Sequence, residues 1–297
     1  FGSRFGCSNM QLNNLRCCTC LIGKRLPTTS NSLLSTRNFP LSGITPSYLP
    51  QHFSRKLRNF PTLSATRSLY TSSSAMAPNL KLTYLDLPGL AEPVRLALTI
   101  GGLPFEDRRI TYADVKKMRP SGELPFGQVP CLEIDGKPHC QSQALLRWAG
   151  RQTGLYPEDL QLEIDELEEV FQDIRKSFGP QWYGAALGRD PTTSEFVVPL
   201  SDDQKVAVAD ALNTRILPVR FAQVEALFNR HDGPYLCGGK LTICDLSAYV
   251  MLDGLLKGTY CQGVSPAVLD NCPRLKELTG RVGSIPEVKA WDQQHGQ

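Results

Sequence analysis

Apolar and polar residues alternate through Leu80-Lys-Leu-Thr-Tyr-Leu85, the period of a half-buried strand. Asp86 to Leu90 breaks the pattern with Pro88-Gly89 and reads as a turn. From Ala91 to Gly101 the apolar positions Val94, Leu96, Ala97, Leu98 and Ile100 switch to helical spacing, and Gly101-Gly102 stops the helix. Phe105 to Ile110 predicts a second strand. Thr111 to Gln128 is polar, with room for one short helix. Val129 to Ile134 predicts a third strand, Asp135-Gly136 a hairpin turn, and Lys137 to Cys140 the return strand. Gln141 to Gly154 predicts a helix with Ala144, Leu145, Trp148 and Ala149 toward one side. The order β-α-β-α-β-β-α has the size of a small α/β domain.

Beyond Leu155 to Leu160, a linker, the alternating pattern disappears. Gln161 to Phe178 predicts a long acidic amphipathic helix. Asp202 to Arg230 predicts another, bent near Pro218. Thr242 to Lys257 and Pro273 to Val282 predict two more, and Ile285 to Trp291 a final helical turn. The second half is therefore all-helical, and no internal repeat is present.

Charge divides the chain differently. Residues 1–75 hold nine Lys or Arg, 21 Ser or Thr and no acidic residue; the first carboxylate is Asp86. An Arg- and Ser-rich, acid-free leader has the composition of a mitochondrial or plastid transit peptide. The second reading is that the chain, which starts at Phe1, carries untranslated sequence ahead of Met76, the start of a cytoplasmic protein. Both readings remove the leader from the fold and divide the chain as 1–77, 78–156 and 161–297. From Met76 onward there are 23 basic and 29 acidic residues. A mildly acidic body disfavours nucleic acid as partner. No run of 18 apolar residues occurs, so no transmembrane helix is expected. The body cysteines (Cys131, Cys140, Cys237, Cys244, Cys261, Cys272) match neither a zinc site nor Cys-x-x-Cys, and read as reduced thiols with no metal.

Four stretches resemble the glutathione transferases, most closely their sigma-like members. They are Lys81-Leu-Thr-Tyr84 with Pro88-Gly-Leu-Ala-Glu-Pro-Val-Arg95, Leu124 to Gly136, Gln141-Ser142, and Leu241-Thr-Ile-Cys-Asp245. The likeness spans roughly 78–295, in order and in spacing. It implies an α/β thioredoxin-like N-terminal domain plus an all-α helical C-terminal domain. It implies glutathione as co-substrate, no permanently bound cofactor, small hydrophobic electrophiles as second substrates, and a homodimer.

Carried over residue by residue, the resemblance makes Tyr84 the catalytic group, whose hydroxyl donates to the glutathione sulfur. Such a donor favours thiolate over thiol, and the thiolate is the nucleophile. Val129, before a cis Pro130, would pair its backbone with the cysteinyl unit as an added strand does. Gln141 and Ser142 would hold the γ-glutamyl carboxylate at a helix N-terminus. Gln128 and Arg119 match positions at the glycyl end. Asp173 matches an acid that reaches a γ-glutamyl amine across the dimer. Thr242 and Asp245 form a capping box, and Arg95 is a structural residue. Leu87, Pro88, Trp182 and Tyr183 are candidates for the electrophile pocket, and the long connection Gly179 to Leu200 is expected to border it.

Two positions depart from the pattern. Leu90 stands where animal sigma-like enzymes usually have Arg, and Val115 where glutathione binding usually uses Trp. They put the subclass in doubt and withhold any specialised isomerase activity. No cysteine lies in Tyr84 to Pro88, which disfavours thiol-transferase chemistry. Isomerisation or peroxide reduction by the same thiolate, and a non-catalytic binding protein on the same fold, are the alternatives.

Overall fold

The computed structural model describes residues 77–182 and 200–295. Strand β1 (Leu80–Leu85) is one of the two inner strands of a four-stranded sheet ordered β2-β1-β3-β4. It runs parallel to β2 (Glu106–Ile110) and antiparallel to β3 (Cys131–Ile134), which pairs with β4 (Lys137–Cys140). Opposite Leu82 stands Leu132, both fully buried. The third strand starts two residues later than its apolar run suggests, because Pro130 has no N–H to give a ladder.

The two faces of the sheet are covered separately. Helices α1 (Glu92–Ile100) and α3 (Ser142–Thr153) share one core with Leu80, Leu82 and Leu132. Helix α2 (Tyr112–Ser121) covers the other face with Val115 and Met118, over Ile110, Cys131 and Cys140. Its start is fixed by a capping box, Thr111 with Asp114. On α3 the buried stripe is Leu145, Leu146, Ala149 and Gly150. Ala144, expected on that side, is exposed, because it lies one position ahead of the i, i+4 pairs 145/149 and 146/150.

The rest is helical: α4 (Gln161–Ser177), α5 (Asp202–Ala211), α6 (Leu217–Phe228), α7 (Ile243–Leu256), α8 (Pro273–Gly283) and α9 (Pro286–His295). The single bent helix expected over Asp202 to Arg230 is instead α5, a π turn over Leu212–Ile216, and α6. Pro218 explains the break: it has no N–H for the carbonyl four residues back, and its ring crowds that carbonyl. The wider π turn takes up the mismatch. The final turn expected at Ile285 to Trp291 is a full helix of ten residues.

Helix α7 is buried almost all round, from Ile243 to Leu252, as a central helix must be. It meets α3 closely at Gly150, where a β-carbon would fall 2.7 Å from Ile243 Cγ2. Asp245 anchors its first turn. Its carboxylate accepts from Leu236 N, Thr242 N and Thr242 Oγ1, each at 2.8 Å. Burial pushes Asp245 up to about 6, against those bonds, which pull it down. Among the described residues no helix is long and apolar enough to cross a membrane.

Candidate active site

Tyr84 is the last residue but one of β1 and is buried, with its hydroxyl facing the turn that follows. That oxygen accepts the Leu90 N–H at 3.0 Å. The chain gets this close because residue 89 is glycine. Gly89 sits at φ +48, and a β-carbon there would stand 2.6 Å from the Tyr84 hydroxyl. Leu90 thus meets the tyrosine through its backbone, whatever side chain it carries.

The turn is held from below. Arg95 of α1 is fully buried, with its guanidinium 5.7 Å from the centre of the Tyr84 ring. It donates to the Leu87 carbonyl at 2.9 Å, to Glu92 at 2.9 Å and to Asp107 at 3.0 Å. Asp107 and Tyr84 project to the same face of the sheet, since Leu82 and Tyr84 pair with Asp107 and Arg109. Arg109 also holds Asp107, at 2.8 Å, and reaches Asp86 at 3.1 Å.

Across the cleft, the Val129–Pro130 peptide bond is cis. Val129 lies just before the β3 ladder, which begins at Cys131. Gln141 holds φ 75, ψ 103, a region costly for a residue with a β-carbon, and Ser142 opens α3 directly after it. Backbone in such a state is found where the surroundings over-determine it, commonly at ligand sites. Arg119 gives its Nε to the Gly127 carbonyl at 2.8 Å and so braces the loop that carries Gln128.

These elements enclose a cleft of about 850 Å³. It brings together Tyr84, Leu87, Arg119, Gln128, Val129, Pro130, Gln141 and Ser142. Leu90 and Val115, the two departures, are also in its wall, which is mainly apolar on that side. The remaining candidates lie elsewhere. Pro88 is absent from the wall, and its carbonyl receives the Glu92 N–H at 3.1 Å. Trp182 packs on Phe178, ring centres 5.2 Å apart, and donates its indole N–H to the Tyr260 carbonyl at 3.2 Å. It belongs to an aromatic cluster rather than to this wall. Asp173 is exposed on α4, paired with Lys176 at 2.9 Å, and Lys176 holds its carboxyl below the usual range. It borders a separate groove of about 340 Å³ beside Arg220 and Arg230. Tyr183 and most of the Gly179 to Leu200 connection lie outside the described residues.

Four further wall residues, on two helices, carry no signal in the motifs. Tyr112, first in α2, lines the cleft with its hydroxyl buried and without a hydrogen-bond partner. The Thr111-x-x-Asp114 capping signature marks that helix start, and so the residue's place. Gln172, Arg175 and Lys176 form the facing wall on α4. Their spacing of three and four puts them on one face, which flanks the buried stripe of Ile164, Leu167, Phe171 and Ile174.

Thiol chemistry from the protein itself is disfavoured here. Cys131 and Cys140 stand opposite each other beside the cleft and both are free. Burial, with Cys140 next to it, pushes Cys131 up to about 12, which leaves almost no thiolate at neutral pH. Among the described residues no group of three or more His, Cys, Asp or Glu could hold a metal ion.

The chain is similar to known proteins over most of the described residues. Residues 90–152 match the glutathione S-transferase N-terminal domain, and residues 191–295 its C-terminal domain. Glutathione S-transferase 1 of Ascaris suum is 30% identical over 216 residues, covering 72% of this chain and 95% of that protein. Glutathione S-transferase A2 of Bos taurus is 31% identical over 217 residues, covering 72% and 87%. The solved structure of prostaglandin synthase D of Nilaparvata lugens superposes with a TM-score of 0.60 at 29% identity, over 73% of this chain and 99% of that one.

Proposed function

The chain belongs to the glutathione S-transferase family and is a transferase, and on that premise we propose that Tyr84 activates glutathione in the cleft described above. Residues 78–156 carry the tripeptide, and residues 161–297 supply the facing wall. The observation that carries this reading is the Tyr84 hydroxyl, held by the Leu90 N–H on a turn that only glycine at 89 allows.

A phenol oxygen that already accepts an N–H is polarised, and its own O–H becomes a better donor. Directed at the glutathione sulfur, it stabilises the thiolate and lowers the thiol pKa from about 8.5 toward neutrality. Val129 pairs its backbone with the cysteinyl unit, and Gln141 and Ser142 receive the γ-glutamyl carboxylate at the α3 N-terminus. Arg119 and Gln128 face the glycyl end. The thiolate then attacks an electrophilic carbon: a C–S bond forms, and a leaving group such as chloride departs with the electron pair. Leu87 and the apolar side of the cleft receive the small hydrophobic electrophile.

In the same reading the enzyme is a homodimer of the sigma-like kind. Asp173 is exposed and stands clear of its own cleft, which suits a role toward the γ-glutamyl amine bound by a second copy. A second reading is glutathione-dependent isomerisation by the same thiolate, favoured by the structural likeness to a protein named prostaglandin synthase.

The test is the pH dependence of conjugation to a chloronitrobenzene, wild type against Tyr84→Phe. The wild-type rate is expected to titrate well below about 8.5, and the variant's limb to move up toward that value. A wild type that binds glutathione yet shows no titrating conjugation would remove the reading.

A further inference from the structure

Helix α9 carries a polar connection to the catalytic turn. Trp291 donates its indole N–H to Glu92 Oε1 at 2.7 Å, across 199 residues of chain. The other oxygen of Glu92 takes Arg95 Nη1 at 2.9 Å. The same Nη1 reaches the Leu87 carbonyl at 2.9 Å, in the turn between Tyr84 and Leu90. Glu92 and Arg95 are both essentially without solvent.

We infer that Trp291 is a positioning residue for the transferase reaction: through Glu92 and Arg95 it fixes the Leu87–Leu90 turn, and with it the direction of the Tyr84 hydroxyl. The inference rests on Tyr84 being the thiolate donor.

Packing alone does not account for this arrangement. The indole does stack on Phe105, ring centres 5.8 Å apart, and lies against His295 at 4.0 Å. A phenylalanine would serve that purpose. The N–H instead satisfies one oxygen of a buried carboxylate, which needs its remaining lone pairs filled to stay fixed. With that oxygen released, Glu92 is free to rotate, and Arg95 loses the partner that aims Nη1 at the Leu87 carbonyl. Arg95 Nε remains on Asp107, so the guanidinium pivots rather than leaves. Neighbouring Asp292 accepts from Tyr249 of α7, which pins this stretch of α9 and sets the indole's approach to Glu92. The effect on Tyr84 passes through angle rather than distance: a hydroxyl accepting Leu90 N–H turns with that N–H.

Trp291→Phe keeps the ring and deletes the donor. Glutathione KM should stay within about twofold, while kcat at pH 6.5 falls roughly three- to tenfold, the scale of one hydrogen bond. The lower limb of the pH–rate profile should rise by about half a unit to one unit. Phe105→Leu is the packing control: it removes the stacking partner, should lower the melting temperature, and should leave the profile in place. Should Trp291→Phe not fold, Glu92→Gln replaces it: it keeps an oxygen for the indole, weakens the hold on Arg95, and should move the profile the same way. A profile that superimposes on a wild type titrating below the free thiol overturns the positioning role and leaves Tyr84 standing. A wild type that titrates at the free-thiol value removes the Tyr84 reading, and the positioning role with it.

Discussion

Two buried carboxylates at the centre of the helical half are held in different ways. Asp245 receives three hydrogen bonds at 2.8 Å, from two backbone N–H groups and one hydroxyl. Glu168, on α4, is equally buried, takes Gln143 Nε2 at 2.9 Å, and is also held by the Ser247 side chain. Burial pushes Asp245 up to about 6 and Glu168 up to about 7, the bonds opposing in each case. The two shifts are alike, so burial outweighs the bonds in both. What differs is the anchor: two backbone N–H groups fix Asp245 to the fold, while Glu168 is held by side chains alone. Gln143, which holds Glu168, follows Ser142 directly along α3.

The sheet half and the helical half also differ. In the proposed reading, chemistry concentrates in the turn after β1, the loop before β3 and the start of α3, with backbone groups doing the binding. The helical half supplies one wall and the framework. Substitutions should separate these roles. The largest effect is expected from Tyr84→Phe, which removes a single hydroxyl: kcat should fall on the order of 10²-fold, the scale of losing a preorganised donor to a developing anion. Glutathione KM should change little, and steady-state kinetics would show the split.

Asp245→Ala should affect stability rather than chemistry. It strands two buried N–H groups and a hydroxyl, a loss of roughly 3–5 kcal/mol by analogy with broken buried networks. A denaturant melt would register it, with activity per folded molecule near wild type. Loss of activity without loss of stability would erase the division between the halves.

Gly89→Ala comes next. Its β-carbon would fall 2.6 Å from the Tyr84 hydroxyl, at a positive φ that itself costs about 1–3 kcal/mol in a residue with a side chain. The turn must shift, so kcat should drop about tenfold, with the melting temperature lower by several degrees. An unchanged kcat would mean that the Leu90 N–H is not what aims the hydroxyl.

The smallest effect belongs to Glu168. Its folded pKa, about 7, lies above the ordinary carboxylate value of 4.5. Between those values the folded protein holds a proton that the unfolded chain has lost, so stability should decline as pH rises from about 4.5 to about 7. Below that window the group contributes no slope. Glu168→Gln should flatten the decline, which melts at a series of pH values would reveal. An identical slope in both proteins would assign the pH dependence elsewhere.

The sheet half was readable because its signals are local. Strand alternation put Tyr84 in phase with Leu80 and Leu82, Pro88-Gly89 marked the turn, and the cis Val129–Pro130 bond and the helix start at Ser142 are as the resemblance implied. The helical half was less so. The spacing of Gln172, Arg175 and Lys176 marks a polar face on α4, but only packing shows that this face meets the cleft. Trp182 has the composition of a pocket residue, yet Phe178 and Tyr260 take it into a cluster of rings. Pro218 announced a bend, but a π turn upstream of it depends on how α5 and α6 must align. Trp291 reaches Glu92 across nearly the whole fold, a contact no window along the chain contains.

The most direct test of the account is the pKa of glutathione bound to the enzyme, followed by thiolate ultraviolet absorbance in wild type and in Tyr84→Phe. The account predicts a wild-type value well below the free-thiol value of about 8.5, and a variant value close to it with glutathione still bound. A bound thiol that titrates equally in both proteins would contradict the claim that the Tyr84 hydroxyl makes the thiolate.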